Sequence, residues 1–292
     1  MIRPLRPTLP YDPRAAEEPP TRPSVGDGVA WVGRGGIRAS ELLWGVFRGL
    51  PRSLAALISA ETSARREARR SSIEQVFHIA YQSLPLMLTA GALVGALAAL
   101  QARLVAPGLD TGRLGQILVT LVVRELAPLL TAWVVAARSG TAIATELGLM
   151  RQRGEIASLE VLGLSPDALL VFPRLVASTL GVLVLAIYFG LFALSSAALV
   201  VTVQSTGAFG ELVSGLGRFL VWQDLPLFVA KAAGMGLLLG LVTCFQGLRR
   251  DADAASLPRF AGAAVVGSLV ACTALDLALT GLFYWLGLGG LR

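Results

Sequence analysis

"LVVRELAPLL", residues 121–130, places an arginine, a glutamate and a proline inside a run that is otherwise apolar. Charged side chains are costly in hydrocarbon, and proline removes a hydrogen bond from a helix. If Arg124 and Glu125 lay in a loop, the apolar stretches on either side would each be shorter than the roughly 20 residues that a membrane-spanning helix needs. The stretch therefore predicts one spanning helix, at about 114–137, with a charged pair inside it.

The rest of the chain has the composition of a membrane protein. Of 292 residues, 54% are hydrophobic and only 15% are charged, and the mean hydropathy is +0.68. A soluble globular chain carries about 25% charged residues. The fold class predicted is an all-α polytopic membrane protein with five transmembrane helices. The five apolar runs lie at about 79–102, 114–137, 175–203, 225–248 and 260–288.

The N-terminal part has a different character. Residues 1–35 are rich in proline, glycine and charge and contain no apolar signal-peptide core, so we expect a disordered cytoplasmic tail. Residues 36–60 carry apolar residues at helical spacing with arginines between them, which predicts an amphipathic helix in the membrane interface. An ordinary amphipathic helix packed on protein is the alternative. We predict one membrane domain at 36–292, with its transmembrane bundle at 75–292.

The placement of the arginines predicts the orientation of the chain. They concentrate in the tail through residue 70, in the segment 138–174 and around 249–259, and they are sparse in the alternate connections. Loops rich in arginine and lysine stay on the cytoplasmic side. The N-terminus is therefore predicted to be cytoplasmic and the C-terminus external.

Four ionisable residues fall within the predicted spans, namely Arg124, Glu125, Lys231 and Asp276. Such groups usually face the bundle interior or a wet cavity and often pair with one another. Pro128 has no N–H to bond the carbonyl of Arg124, so this carbonyl is freed beside the charges. Two hypotheses remain open for these residues: an ion pair between helices that fixes their packing, and a polar patch in a substrate cavity. Asp276 fits the packing role better.

Motifs for catalysis and cofactor binding are missing from the sequence. The phosphate loop of ATPases needs a lysine before serine or threonine, but the one lysine, Lys231, precedes alanine. A lone histidine and two separate cysteines give no metal-ligand spacing. No basic module with interleaved aromatic residues suggests nucleic acid. We therefore predict no catalytic residue, metal site or cofactor in this chain, and no nucleic-acid partner.

The long connection 138–174 contains a short helical pattern, from Glu155 to Leu162, which Gly163 would end at a C′ position. Ser165 resembles the N-cap of the next helix. Such a short helix could dock on a cytoplasmic partner or lie on its own bundle.

Small residues recur in two spans at the GxxxG spacing. Gly91 and Gly95 form one pair, and Gly236 and Gly240 form the other. This spacing allows close approach of helices, either within one subunit or between two.

The stretch 124–174, "RELAPLLTAWVVAARSGTAIATELGLMRQRGEIASLEVLGLSPDALLVFPR", resembles the signature of the MlaE (YrbE) family of permease subunits. The family pattern runs R-E-L-G-P, then A-G-R-x-G-x-A-x-x-A-E-[IL]-G-x-M, then a segment that begins with E-Q, and finally P-R. Ala127 and Ala137 replace family glycines, and Glu155 is followed directly by Ile156 without the usual glutamine. The resemblance extends more loosely from about residue 40 to the C-terminus.

The resemblance implies a homodimeric permease in the bacterial inner membrane. It would be powered by a separate cytoplasmic ABC ATPase that binds ATP and Mg²⁺, and it would move phospholipid or a related lipid between the inner membrane and a periplasmic MCE-domain protein. The residues that would line the lipid cavity are Arg124, Glu125 and Lys231. The residues that would couple to the ATPase are Glu146, Met150, Glu155, Ile156, Leu159 and Glu160.

Two other functions stay open from the sequence. One is a membrane enzyme that acts on lipids with Glu125 as acid or base, and lipid turnover without an ATPase would support it. The other is a scaffold that holds MCE proteins. Loss of transport on disturbing the segment from Glu146 to Glu160, in a complex that still assembles, would count against the scaffold.

Overall fold

A computed structural model describes residues 62–105, 111–163, 166–204, 224–248 and 257–286, and within them the secondary structure is helical, without strands. The tail predicted at 1–35 and the interfacial helix predicted at 36–60 lie outside the described residues, as does the N-cap predicted at Ser165. The helices and π-helical segments are α1 Thr62–Val105, α2 Thr111–Leu118, π1 Val119–Leu126, α3 Ala127–Val135, π2 Ala136–Gly140, α4 Thr141–Gln152, α5 Glu155–Val161, π3 Asp167–Val171, α6 Phe172–Gln204, α7 Asp224–Gly247 and α8 Leu257–Trp285.

Five helical stretches are long and apolar enough to cross a membrane, which confirms the predicted fold class. They are Glu74–Val105, Gly115–Gln152, Leu169–Val203, Leu225–Gly247 and Ala261–Trp285. The last three spans alternate in direction. Lys231 near the start of α7 contacts Thr280 near the end of α8, and Gly240 toward the end of α7 lies against Leu175 near the start of α6. We call the two ends of the bundle the Trp285 end and the Val161 end.

The second span is longer than the sequence predicts. The prediction that 138–152 belongs to a loop is wrong, because the helix continues through π2 and α4 to Gln152. Polar side chains in this continuation form hydrogen bonds within the protein. The hydroxyl of Thr145 donates to the carbonyl of Thr141 at 2.9 Å, and Arg138 donates to the carbonyl of Gln82 on α1. Such side-chain bonds allow a helix to continue beyond its apolar run.

Both GxxxG pairs are used within the subunit. A Cβ added at Gly95 would lie 1.9 Å from the carbonyl oxygen of Ala193, so α1 and α6 meet backbone to backbone there. A Cβ at Gly236 would lie 2.7 Å from the carbonyl oxygen of Ser178, and one at Gly240 would lie 2.3 Å from the Ser178 hydroxyl. These contacts hold α7 on α6. Of the two possibilities that the spacing left open, the structure uses close approach inside one chain.

The main core cluster joins all five spans around α6. Its fully buried members include Met87 on α1, Val122 on π1, Phe189 on α6, Met235 on α7 and Cys272 on α8. Other large apolar side chains remain exposed on the outer faces, for example Leu93 and Leu97 on α1. An apolar exterior is what a bundle in lipid requires.

Candidate functional site

A charge cluster occupies the interior of the bundle where π1, α7 and α8 meet. Its centre is Lys231, which is 0% exposed. The Nζ atom of Lys231 lies 2.7 Å from Glu125 Oε2 on π1 and 2.9 Å from Asp276 Oδ1 on α8. It also donates to the hydroxyl of Thr280 at 2.6 Å. Together with Arg124, which lies beside Glu125, these residues form what we call the charge cluster.

The carbonyl freed by Pro128 has found a partner in this cluster. Lys231 Nζ donates to the carbonyl oxygen of Arg124 at 3.3 Å. The backbone widens around this point, because π1 covers Val119–Leu126 and the N–H of Ala127 bonds the carbonyl of Val122, five residues earlier. In a regular α-helix the ring of Pro128 would clash with the Arg124 carbonyl, and the residues before the proline are π-helical instead. The prediction of one continuous helix through Arg124 and Glu125 is confirmed.

Two further contacts complete the cluster. The hydroxyl of Thr280 lies 3.2 Å from Glu125 Oε2 and 3.3 Å from Oε1, so it bridges the glutamate and the lysine. The guanidinium of Arg124 lies over the ring of Phe283, with Cζ 4.6 Å from the ring centroid. A cation over an aromatic face is stabilised by the ring's quadrupole. Glu125, Lys231 and Thr280 therefore belong to one hydrogen-bonded network, and Arg124 forms its border with the aromatic residues of α8.

The cluster lies toward the Trp285 end and not at the middle of the bundle. At 1.5 Å per residue, Lys231 is roughly 10 Å from the start of α7 and about 24 Å from its end. Thr280 is roughly 8 Å from the end of α8 on the same scale. Exposed Tyr284 and Trp285 follow directly, and such aromatic residues favour the headgroup level of a bilayer. The charges therefore lie nearer to the Trp285 end of the bundle than to the Val161 end.

Charge and burial differ among the members. Two cations, Arg124 and Lys231, face two carboxylates, Glu125 and Asp276, so their ionised forms sum to zero. The side chain of Asp276 is 9% exposed, whereas that of Glu125 is 29% exposed. Asp276 is thus the enclosed partner of Lys231, and Glu125 forms the accessible edge of the cluster.

The sequence identified three members of this cluster and assigned Asp276 mainly to packing. It did not join Asp276 to Lys231, because spacing within one chain cannot say which spans are neighbours. A signal was present nonetheless. Asp276 and Lys231 are the two isolated charges of the last two spans, and Thr280 follows Asp276 at i+4, on the same helix face.

A second group of polar residues lies at the Val161 end. Glu146 on α4 forms an ion pair with Arg174 on α6 at 3.0 Å, and Arg174 also donates to the carbonyl of Leu170 at 2.9 Å. The side chain of Arg174 is only 4% exposed, whereas that of Glu146 is 59% exposed. Arg151 donates to the carbonyl of Leu248 at the end of α7. Arginines therefore join α4 to both α6 and α7.

The other residues predicted to couple to an ATPase are divided between the core and the surface. Met150 packs against the apolar cluster of α4, α6 and α7, and Ile156 is buried. Leu159 is half-buried, Glu160 is exposed, and Glu155 lies 3.7 Å from Arg153. The predicted short helix is present as α5, and Gly163 has the positive φ of 74° expected at its C′ position.

The exposed tip of this segment was not singled out by the sequence. Val161 is 87% exposed and Leu162 is 72% exposed, at the end of α5 and just before Gly163. The same helical pattern could have indicated this tip, because it ends in two consecutive aliphatic residues, Val161 and Leu162, directly before Gly163. Such a tip is suited to insertion into an apolar groove of a partner.

The fold and the charge cluster define a polytopic helical membrane protein with ionisable groups buried between three of its spans. Comparison with known proteins gives the class more narrowly. The family model described as "Permease MlaE" matches residues 72–282, and the chain belongs to this permease family. It is therefore a component of a transporter.

Known relatives come from bacteria and from a plant chloroplast. The chain is 30% identical over 206 residues to a probable ABC transporter permease protein of Synechocystis, an alignment that covers 70% of this chain and 78% of the relative. It is 25% identical over 217 residues to the intermembrane phospholipid transport system permease protein MlaE of Haemophilus influenzae, covering 74% and 83%. It is also 29% identical over 171 residues to the chloroplastic protein TRIGALACTOSYLDIACYLGLYCEROL 1 of Arabidopsis thaliana, covering 59% of this chain and 49%, about half, of the plant protein.

Proposed function

We propose that this chain is the membrane-spanning permease subunit of an ABC transporter that moves phospholipid or a related lipid. Membership in the MlaE permease family supports this function, and so does the similarity to a Haemophilus protein whose name specifies phospholipid transport. The observation that carries the proposal is the charge cluster around Lys231, buried between three spans toward the Trp285 end of the bundle. Ionisable groups at such positions usually mark a substrate path.

The proposed assembly is a homodimer in the bacterial inner membrane, with its N-terminus in the cytoplasm and its C-terminus in the periplasm. A separate ATPase, which binds ATP and Mg²⁺, would dock at the Val161 end, and an MCE-domain protein would exchange lipid with the permease at the Trp285 end. The exposed tip of Val161 and Leu162 supports docking at the first of these ends. The aromatic residues at the end of α8 support a membrane interface at the second.

ATP binding in the partner would act by favouring one conformation of the permease over another, because a ligand shifts an equilibrium only through its different affinity for the two states. The coupling residues would be Glu146, Met150, Glu155, Ile156, Leu159 and Glu160. Within this group, the outer face of α5 would receive the motion. The buried members would pass it to α6 and α7. Helix α4 contacts α6 through the ion pair of Glu146 with Arg174, and it contacts the end of α7 through the hydrogen bond from Arg151 to the Leu248 carbonyl.

The lipid site would use Arg124, Glu125 and Lys231 in different ways. Arg124 and Glu125 are partly exposed and would touch the headgroup directly. Lys231 is enclosed in this conformation and would act by holding Glu125 and the Arg124 carbonyl in place. Acyl chains would lie along the apolar surfaces of the neighbouring spans.

The decisive experiment is ATP-driven lipid transfer by the full chain reconstituted with its ATPase and MCE partners. We expect the wild-type complex to transfer lipid only with hydrolysable ATP. Glu125→Ala and Lys231→Ala should each abolish most of this transfer in complexes that assemble normally. Wild-type transfer rates in both variants would refute the assignment of the lipid site, and a wild-type complex that transfers no lipid would refute the function.

A further inference from the structure

We propose that the charge cluster selects a zwitterionic phospholipid headgroup of the ethanolamine type over an anionic one. The inference rests on the proposed transport function and deepens it, because it assigns a headgroup class to the same site. Three features of the cluster carry it: the saturation of Lys231, the accessibility of Glu125 and the balance of charge.

Lys231 is not available to a lipid phosphate in this arrangement. Its ammonium group has three N–H bonds to donate. Hydrogen bonds to Glu125 Oε2, to the Thr280 hydroxyl and to the Arg124 carbonyl, at 2.7, 2.6 and 3.3 Å, use these three donors. The Asp276 carboxylate lies 2.9 Å from Nζ as an ion pair. The side chain is also 0% exposed. The most buried cation of the site therefore serves the protein's own carboxylates, and it does not attract an anion.

Glu125 presents an acceptor at the accessible edge. Its Oε2 atom takes the short bond from Lys231 at 2.7 Å, whereas Oε1 has a longer contact of 3.3 Å with the Thr280 hydroxyl. An ionised carboxylate offers about four lone-pair positions, so Oε1 retains capacity for another donor. The 29% exposure of this side chain leaves room for that donor to approach. A primary ammonium group is well suited to this position, because it forms a short charge-assisted hydrogen bond with a carboxylate.

The balance of charge favours a ligand that carries no net charge. The cluster combines two cations with two carboxylates, and it lies among apolar helices where an unbalanced charge is costly. An anionic headgroup would add one uncompensated negative charge. A phosphoethanolamine headgroup adds none, and its phosphate and ammonium can match Arg124 and Glu125, which are neighbours along the chain.

The test is a measurement of which lipids the full chain retains. The protein is reconstituted in nanodiscs that contain equal amounts of phosphatidylethanolamine and phosphatidylglycerol, then gently delipidated, and the bound lipids are identified by mass spectrometry. We expect the wild type to enrich phosphatidylethanolamine by about tenfold, the effect of one charge-assisted hydrogen bond. Glu125→Gln leaves the cluster with an excess positive charge and should reverse the preference toward phosphatidylglycerol. Glu74→Gln removes a carboxylate on α1, a helix that contributes no residue to the charge cluster, and should leave the preference unchanged.

Equal retention of the two lipids by the wild type would overturn the inference, and this result does not depend on any variant folding. Persistent phosphatidylethanolamine enrichment in Glu125→Gln would also overturn it. Both results leave the transport function intact if the assembled complex still transfers lipid on ATP hydrolysis. A complex that transfers no lipid would instead refute the function, while the retention measurement would still report the headgroup preference of the chain.

Discussion

Lys231 is the residue on which the interior of the bundle depends. Its ammonium group joins carboxylates from two other helices and also supports a backbone carbonyl. Removing one partner of a buried ion pair leaves uncompensated charge, which costs about 3–5 kcal/mol. We therefore expect Lys231→Met to lower the free energy of unfolding by an amount in that range, measured by denaturant titration of the detergent-solubilised protein.

Lys231→Arg provides the matched comparison. It keeps the charge but replaces a compact ammonium with a planar fork, so it should recover part of the lost stability and leave the Arg124 carbonyl poorly supported. An unfolding free energy for Lys231→Met equal to that of the wild type would show that the ion pairs do not stabilise the fold.

Sequence reasoning identified much of this residue-scale picture. The isolated lysine, the adjacent arginine and glutamate, and the proline that frees the Arg124 carbonyl can all be read from the sequence. The partner of that carbonyl could not be predicted, because it comes from a span more than a hundred residues away. The same limit explains why Asp276 and Thr280 were not connected to Lys231.

At the scale of elements, the glycines of α1 predict a sharp contrast between two substitutions. Gly95 lies against the backbone of α6, where an added Cβ would be 1.9 Å from the carbonyl oxygen of Ala193. Because backbone atoms cannot move aside cheaply, Gly95→Ala should separate α1 from α6 and reduce the yield of folded monodisperse protein severely. Size-exclusion chromatography of a fluorescent fusion measures this yield.

Gly281→Ala on α8 is the control for that experiment. A Cβ at this position meets nothing within 4 Å. Alanine is also about 1 kcal/mol better than glycine inside a helix. This variant should be as stable as the wild type or slightly more so. Equal yields of the two variants would mean that the α1–α6 contact is looser than described.

The ion pair between α4 and α6 makes a further prediction about elements. Arg174 is nearly buried and Glu146 is largely exposed, so the pair transmits force between the two helices in the proposed coupling. Glu146→Gln should preserve the fold but lower the number of lipids transferred per ATP hydrolysed by severalfold. The charge-swapped pair Glu146→Arg with Arg174→Glu should restore more transfer than Glu146→Arg alone. An unchanged ratio in Glu146→Gln would assign Glu146 to stability only.

The elements also show where sequence patterns lose information. Apolar run length predicted the five spans, but it ended the second span too early because α4 carries charges that pair with α6 and the end of α7. A helix whose charged residues pair with neighbouring helices does not have the composition of a span. The GxxxG pairs were visible from the sequence, yet only the three-dimensional contacts show that they serve the packing of a single chain.

For the whole molecule, the orientation is the property that most constrains the proposed mechanism. Cys244 and Cys272 are both buried, so a single added cysteine at an exposed position can report its side of the membrane with little background. Leu286→Cys should react with an impermeant thiol reagent added outside spheroplasts. Val161→Cys should react only in inverted vesicles. The reverse pattern would place the ATPase-docking tip on the wrong side and would refute the proposed coupling.

The π-helical segment Val119–Leu126 has a consequence for how the chain tolerates changes in length. A wide turn uses more residues per turn than an α-helix, so this part of the sequence contains residues that a regular helix would not need. Deleting one residue there would rotate Glu125 relative to the helix before it by about 100°. A shortening that is harmless in an ordinary loop would thus separate Glu125 from Lys231, and alignments of this stretch should carry no gap among chains that keep both charges.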